Sequence, residues 1–246
     1  MDRPDRLRCV ALGVSTAALV LVPTLGPVLA GTEEGAEEFD TDITPPDYAF
    51  AIWAPIFATS AASTIQHIAH PTDDANRRHG WWLAGAHAAN AAWSLAAQSD
   101  RFRYTAAILP IATALAAGAH RQLQGSDPAG IAPHSTGLLL GWTSVASVVN
   151  VFAVRKRAPH PRTTAAAVVG AAAVLAGTLA TSRRGYVAVA AAGLWALTTS
   201  AFNTRRTRSA RVANAVGATL VATTAATKLW RDRGETQGAK ASHSRR

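Results

Sequence analysis

Cysteine is almost missing from this chain of 246 residues: Cys9 stands alone. That excludes an intramolecular disulfide and any cysteine-based metal site. Charge is missing from long stretches. Cys9–Ala30, Tyr48–His70, Gly80–Ser99, Tyr104–His120, Gly137–Val154, Thr163–Ser182, Gly185–Thr204 and Val212–Thr227 contain no Asp, Glu, Lys or Arg. The chain also lacks a Gly-x-Ser-x-Gly elbow, a P-loop and any pair of carboxylates inside those runs. With no acid, base or nucleophile in place, an enzyme is the weaker reading. With no ionisable relay inside the runs, so is a proton-coupled transporter.

What is there instead is helix-forming apolar sequence. Crossing the hydrocarbon of a bilayer takes about 20 residues at about 1.5 Å each, and a soluble core helix would carry a polar stripe that most of these runs do not have. The sequence therefore predicts an all-α polytopic membrane protein with about eight spans. The modest mean hydropathy of +0.10 arises because Ala fills the runs and Arg the connections. The formal net charge of +9 comes from bases flanking the runs, such as Arg3, Arg6, Arg8 and Arg155-Lys156-Arg157. That placement reads as topological and headgroup-facing, with the lipid bilayer as partner and not nucleic acid.

Proline and acids punctuate the first half. The loop Gly31–Asp47 holds seven acids and no base, and Pro45-Pro46 opens the second span, where a missing N–H is harmless. Pro71-Thr72-Asp73-Asp74 closes it. Trp81-Trp82 reads as an interfacial anchor for the third. The first run is longer than the apolar core of a signal peptide, so it is expected to stay as a helix. The bases before it and the acids after it place the N-terminus in the cytoplasm, and the protein in the cytoplasmic membrane. After Arg155 the sequence becomes rich in Ala and Val. Residues 231–246 are polar and are expected to be a disordered tail.

Three spans carry aromatic and amide residues at helical spacing. Trp53, Phe57, Ser60, Thr64 and His67 share one face of the second. His87, Asn90, Trp93 and Ser94 lie within one sector of the third. Trp142, Ala146, Val149 and Asn150 form a stripe on the fifth, with Ser144 nearby. An amide in hydrocarbon needs a partner, so Asn90 and Asn150 should face the bundle interior. Large rings beside small residues could line a slot for a flat apolar ligand. The same residues could simply join helices or anchor their ends. His67, His70, His79 and His87 do not gather the three or four converging ligands a metal needs, although His87 is one candidate axial ligand for a haem. Gly137-Leu-Leu-Leu-Gly141 is a G-x-x-x-G, suited to close helix packing or to a homodimer seam.

Three of these stretches resemble the TspO/translocator family of tryptophan-rich sensory proteins. Trp142-Thr-Ser-Val-Ala-Ser-Val-Val-Asn150 is similar to the family's fifth-helix motif, and Asn90-Ala-Ala-Trp93-Ser94 to its third-helix Asn-x-x-Trp. Pro45-Pro46-Asp47-Tyr48-Ala49-Phe50-Ala51-Ile52-Trp53 resembles its Pro-Pro-x-Trp-x-Phe lead into the second helix. Tyr48 stands where the family commonly has Trp, Trp53 comes one residue early, and Ser94-Leu95 replaces a proline. The resemblance implies a five-helix bundle over residues 1–155, followed here by a three-helix extension over 156–230. It also implies a pocket beneath the loop Gly31–Asp47, which would act as a lid. It implies ligand contacts at Tyr48, Phe50, Trp53, Asn90, Trp93, Trp142 and Ala146, to which the fifth-span stripe adds Asn150. The expected ligand is a small planar hydrophobic molecule, a tetrapyrrole such as a porphyrin or haem, with no cofactor required. The competing expectations are a transporter or channel-like subunit and a membrane scaffold that binds nothing.

Overall fold

Proline and glycine set the helix boundaries. Pro46 precedes a short 3-10 helix, Asp47–Ile52, that runs directly into α2 (Trp53–Ala69). Pro133 lies in the first turn of α5 (Ala132–Ala153), and Pro161 begins α6 (Pro161–Thr181). Gly185 takes a φ of +70° between α6 and α7 (Tyr186–Phe202), where a Cβ would land on the carbonyl oxygen of Pro133. The computed structural model describes residues 2–30, 39–125, 130–155 and 159–243. Its other helices are α1 (Arg3–Ala30), α3 (Asp74–Ala97), α4 (Thr105–Gln124) and α8 (Arg208–His243).

Successive helices run antiparallel. The 3-10 segment meets the α7–α8 turn at one end of the bundle, called here the lid end. At the opposite end, the start of α1 meets the α2–α3 turn, and Gln124 of α4 caps the α6–α7 turn. Helix neighbours define two rings. The first runs α1–α2–α5–α4–α3 and back to α1, and the second runs α5–α7–α8–α6 and back to α5. α5 is the wall they share, which is why so much of it is buried. Its G-x-x-x-G faces α7. A Cβ on Gly137 would sit 2.6 Å from the carbonyl oxygen of Gly185, and one on Gly141 would meet that of Val189. Ala188, Ala192 and Gly193 complete this backbone-to-backbone seam. The motif is therefore spent inside the chain and is not free to form a homodimer seam.

Among the described residues, five helical stretches are long and apolar enough to cross a membrane: Arg3–Leu25, Asp47–Ala69, Phe102–Gln124, Ala132–Ala153 and Pro161–Thr181. α7 is apolar but has 17 residues. α3 is less apolar than the sequence suggests, because it starts two turns early, at Asp74, and takes in Arg77, Arg78 and His79. The reason is tertiary. Arg77 donates two hydrogen bonds to the carboxylate of Asp5, at 3.1 and 2.6 Å. Asp5 also pairs with Arg8 at 2.7 Å, and both are buried. The expectation that Arg8 faces headgroups fails here. Arg8 turns inward, donates to His67 Nε2 at 3.2 Å and to the Pro71 carbonyl, and packs where Gly80 leaves room. Removing one member of such a cluster strands the others. Arg8→Ala is expected to lower the thermal midpoint of the detergent-solubilised protein.

The far segment also differs from expectation. Residues 231–243 continue α8 where a disordered tail is expected, and 244–246 lie outside the described residues. Ala, Gln, Glu, Lys and Arg favour helix whether or not a face is buried. Tyr186 Oη donates to Asp232 at 2.6 Å, and Lys228 lies over the Tyr186 ring, which ties this part of α8 to α7.

Candidate functional site

The first ring has a two-storey interior. At the lid end it is aromatic. The indole of Trp53 stacks with Phe57 at 5.4 Å and with Trp93 at 6.1 Å, and meets Trp142 edge-on at 6.3 Å. Phe50, from the 3-10 segment, sets its ring edge-on to Trp142 at 5.6 Å. Small and branched residues of α5 (Val145, Ala146 and Val149) fill in beside them, with Leu109 of α4, Ala196 of α7 and Pro45. The cavity among them is about 30 Å³, room for a water molecule. A planar molecule could be seated only by moving a ring aside.

One polar pair stands in this apolar wall. Trp93 Nε1 donates to Asn150 Oδ1 at 2.8 Å, and Asn150 Nδ2 donates to the Ala146 carbonyl one turn back at 3.0 Å. The pair orients the Trp93 ring and satisfies an amide that hydrocarbon would penalise. Among the described residues the indole N–H groups of Trp53 and Trp142 have no acceptor and remain available to a guest.

Of the residues singled out in the sequence, Phe50, Trp53, Trp93, Trp142, Ala146 and Asn150 converge on this cavity. Tyr48 does not. It is 58% exposed, with its ring edge toward Trp195 at 6.4 Å. Asn90 does not either. Its Nδ2 donates to the Ala86 carbonyl within α3, and its Oδ1 has no partner. Asn90 belongs to the lower storey, where His67, His79 and His87 are buried with Ser63 and Thr64. Thr16 of α1 bonds both Thr64 (2.8 Å) and His87 Nδ1 (2.9 Å). Among the described residues, His67 Nδ1, His79 Nε2, His87 Nε2 and Ser63 Oγ have no hydrogen-bond partner. Such walls suit water or a polar group. Among the described residues, no three His, Cys, Asp or Glu side chains gather in metal-binding geometry.

Sequence reasoning missed Leu109 and Ala196, ordinary members of apolar runs that only the fold brings to the cavity. It also missed how the acidic loop is held. Residues 31–38 of the acidic loop lie outside the described residues, but its second half is clear. Phe39 stacks on Phe102, Asp40 takes both terminal nitrogens of Arg206 at 2.6 Å, and Arg206 Nε donates to the Thr44 carbonyl. Asp42 accepts from the Thr207 backbone at 2.8 Å and from its hydroxyl. Trp195 Nε1 of α7 donates to the Ala49 carbonyl at 2.7 Å. The signal was an acidic loop and a basic turn of matching charge, which sequence alone does not pair.

The second ring thus supplies the contacts that hold residues 40–49 and one residue of the cavity wall. The same continuity appears in comparison with known proteins. The model of the TSPO-like protein family matches residues 8–228, past the five-helix segment and through α6, α7 and most of α8. No curated protein and no solved structure matches the chain. With helices long and apolar enough to span a bilayer and a family match over most of its length, this chain is an integral membrane protein that belongs to the TSPO-like family.

Proposed function

We propose that the protein binds a planar hydrophobic ligand, a tetrapyrrole such as a porphyrin or haem, at the lid end of its first ring, as a sensor or carrier. It would sit in the cytoplasmic membrane with its N-terminus in the cytoplasm, in keeping with the bases before α1 and the acids after it. One observation carries the reading: Phe50, Trp53, Trp93 and Trp142 meet around a cavity whose wall holds the Trp93–Asn150 hydrogen bond. Flat rings supply stacking area, and the indole N–H groups of Trp53 and Trp142 can orient an acceptor on the guest. The lid must open for entry, since the closed cavity is far smaller than a porphyrin. Binding energy must therefore offset the parting of Phe50 from Trp142.

The test is a tryptophan-fluorescence titration of the purified protein with protoporphyrin IX. Saturable quenching at micromolar or lower concentration is expected. A linear, non-saturating response would return the aromatic cluster to helix packing. The latch gives the reading a kinetic signature. Arg206→Ala removes both contacts to Asp40 and the one to Thr44, so stopped-flow quenching should show association several-fold faster than in the parent. An unchanged association rate would mean that the loop does not gate the cavity.

A further inference from the structure

On the outer face of the second ring, α6 and α8 run side by side and leave an open groove of about 680 Å³ near the lid end. Its walls are Ala165, Ala166 and Val169 from α6 and Val212, Ala213 and Val216 from α8. From Arg208 to Val216 the groove follows α8 for about 12 Å at the helical rise. Small side chains make its depth, and apart from its mouth it presents hydrocarbon.

The mouth is charged. Arg208 and Ser209 close the groove at the first turn of α8. Arg208 is exposed and has no acidic partner among the described residues. Of the acids nearby among the described residues, Asp40 is ion-paired with Arg206 and Asp42 accepts hydrogen bonds from Thr207. Arg162, in the first turn of α6, and Arg205 add exposed positive charge at the same level. The site therefore has an apolar trough running along the helices toward the bilayer interior and an exposed guanidinium where the trough meets the headgroup level.

We propose that this groove is a binding site for an anionic phospholipid. One acyl chain lies between α6 and α8, and the phosphate is held by Arg208. A guanidinium near a membrane surface attracts acidic headgroups with about 1 kcal/mol, and its planar fork matches phosphate oxygens. A neutral lipid would fill the same trough without that term. The site is separate from the aromatic cavity and does not depend on what binds there.

Native mass spectrometry of the full-length protein, released from micelles containing either phosphatidylglycerol or phosphatidylcholine, tests it. The parent is expected to retain one phosphatidylglycerol in preference to phosphatidylcholine. Arg208→Gln should reduce that preference by about fivefold, the equivalent of one lost surface arginine. Ala166→Leu places an exposed side chain in the trough and should reduce retention of both lipids. Arg121→Gln, an equal loss of charge at the opposite end, should change nothing. Equal losses in Arg208→Gln and Arg121→Gln would overturn the site in favour of diffuse attraction, and so would full retention in Ala166→Leu. If Ala166→Leu instead converted a dimer to a monomer without altering lipid retention, the groove would be a seat for a second copy of the chain and the proposal would fall.

Discussion

Trp142→Ala and Trp93→Ala are each expected to weaken protoporphyrin IX binding by about tenfold or more, corresponding to about 1.4 kcal/mol. Trp142 meets both Phe50 and Trp53 edge-on, so its loss removes a ring face and the partner that positions the lid aromatic. Trp93 stacks on Trp53 and donates to Asn150, so its loss removes a face and leaves an amide oxygen without its donor. Aromatic contacts of this kind contribute about 0.5–1.5 kcal/mol beyond their buried area. Trp142 is nearly inaccessible, and a void there lowers stability. Circular dichroism and elution volume must therefore show a folded bundle, and Trp142→Phe, which keeps an aromatic edge, should fall between parent and alanine variant. Trp93→Phe separates stacking from the N–H contact. Trp230→Ala, an exposed ring toward the far end of α8, should bind like the parent. Coincident titration curves for parent, Trp93→Ala and Trp142→Ala would remove the site from this cavity.

Gly141→Leu should produce a large loss of stability. The added Cβ meets the carbonyl oxygen of Val189, with Ala192 and Gly193 close behind. These are backbone and methyl groups that cannot rotate away, so either α7 moves off α5 or the helices bend. Overpacking a well-fitted interior costs about 1–3 kcal/mol, occasionally more, and here the obstacle is main chain. The thermal midpoint of the purified protein should fall markedly. Gly170→Leu, where nothing lies within 4 Å of the added carbon, serves as the matched control. Equal midpoints for the two variants would mean that the α5–α7 seam is not a close backbone contact.

Charge-free runs made the helices legible. α2, α5, α6 and α7 lie close to the apolar stretches that announce them, because proline and charge mark their ends. The Trp142–Asn150 and Trp53–Phe57 stripes were legible for a related reason: bulky and amide residues at helical spacing stand out against alanine. What escaped was pairing across distance. Nothing near Arg77 indicates that Asp5, 72 residues away, will draw it inward and lengthen α3. Asn90 looked like a cavity residue because it shares a sector with Trp93, but it sits one turn deeper, in the histidine storey. Tyr48 occupies a family position, and the 3-10 turn points it outward to Trp195. The roles of α6–α8 were hidden by their uniform Ala and Val composition, which has no single residue to reveal that α7 contributes to the cavity wall.

Because α5 meets α7 through main chain, that joint behaves mechanically as a rigid strut. Side chains at an ordinary helix interface can absorb a small displacement by changing rotamer, whereas glycine against carbonyl has no such slack. A guest that pushes on Trp142 or Ala146 displaces α5 as a body, and α7 must follow. α7 in turn holds the Ala49 carbonyl through Trp195, and the chain between Ala49 and Trp53 carries Phe50 back against Trp142. The linkage closes on itself. A load applied at the cavity returns to its own cover, and the helices beyond residue 155 form the return arm of that circuit.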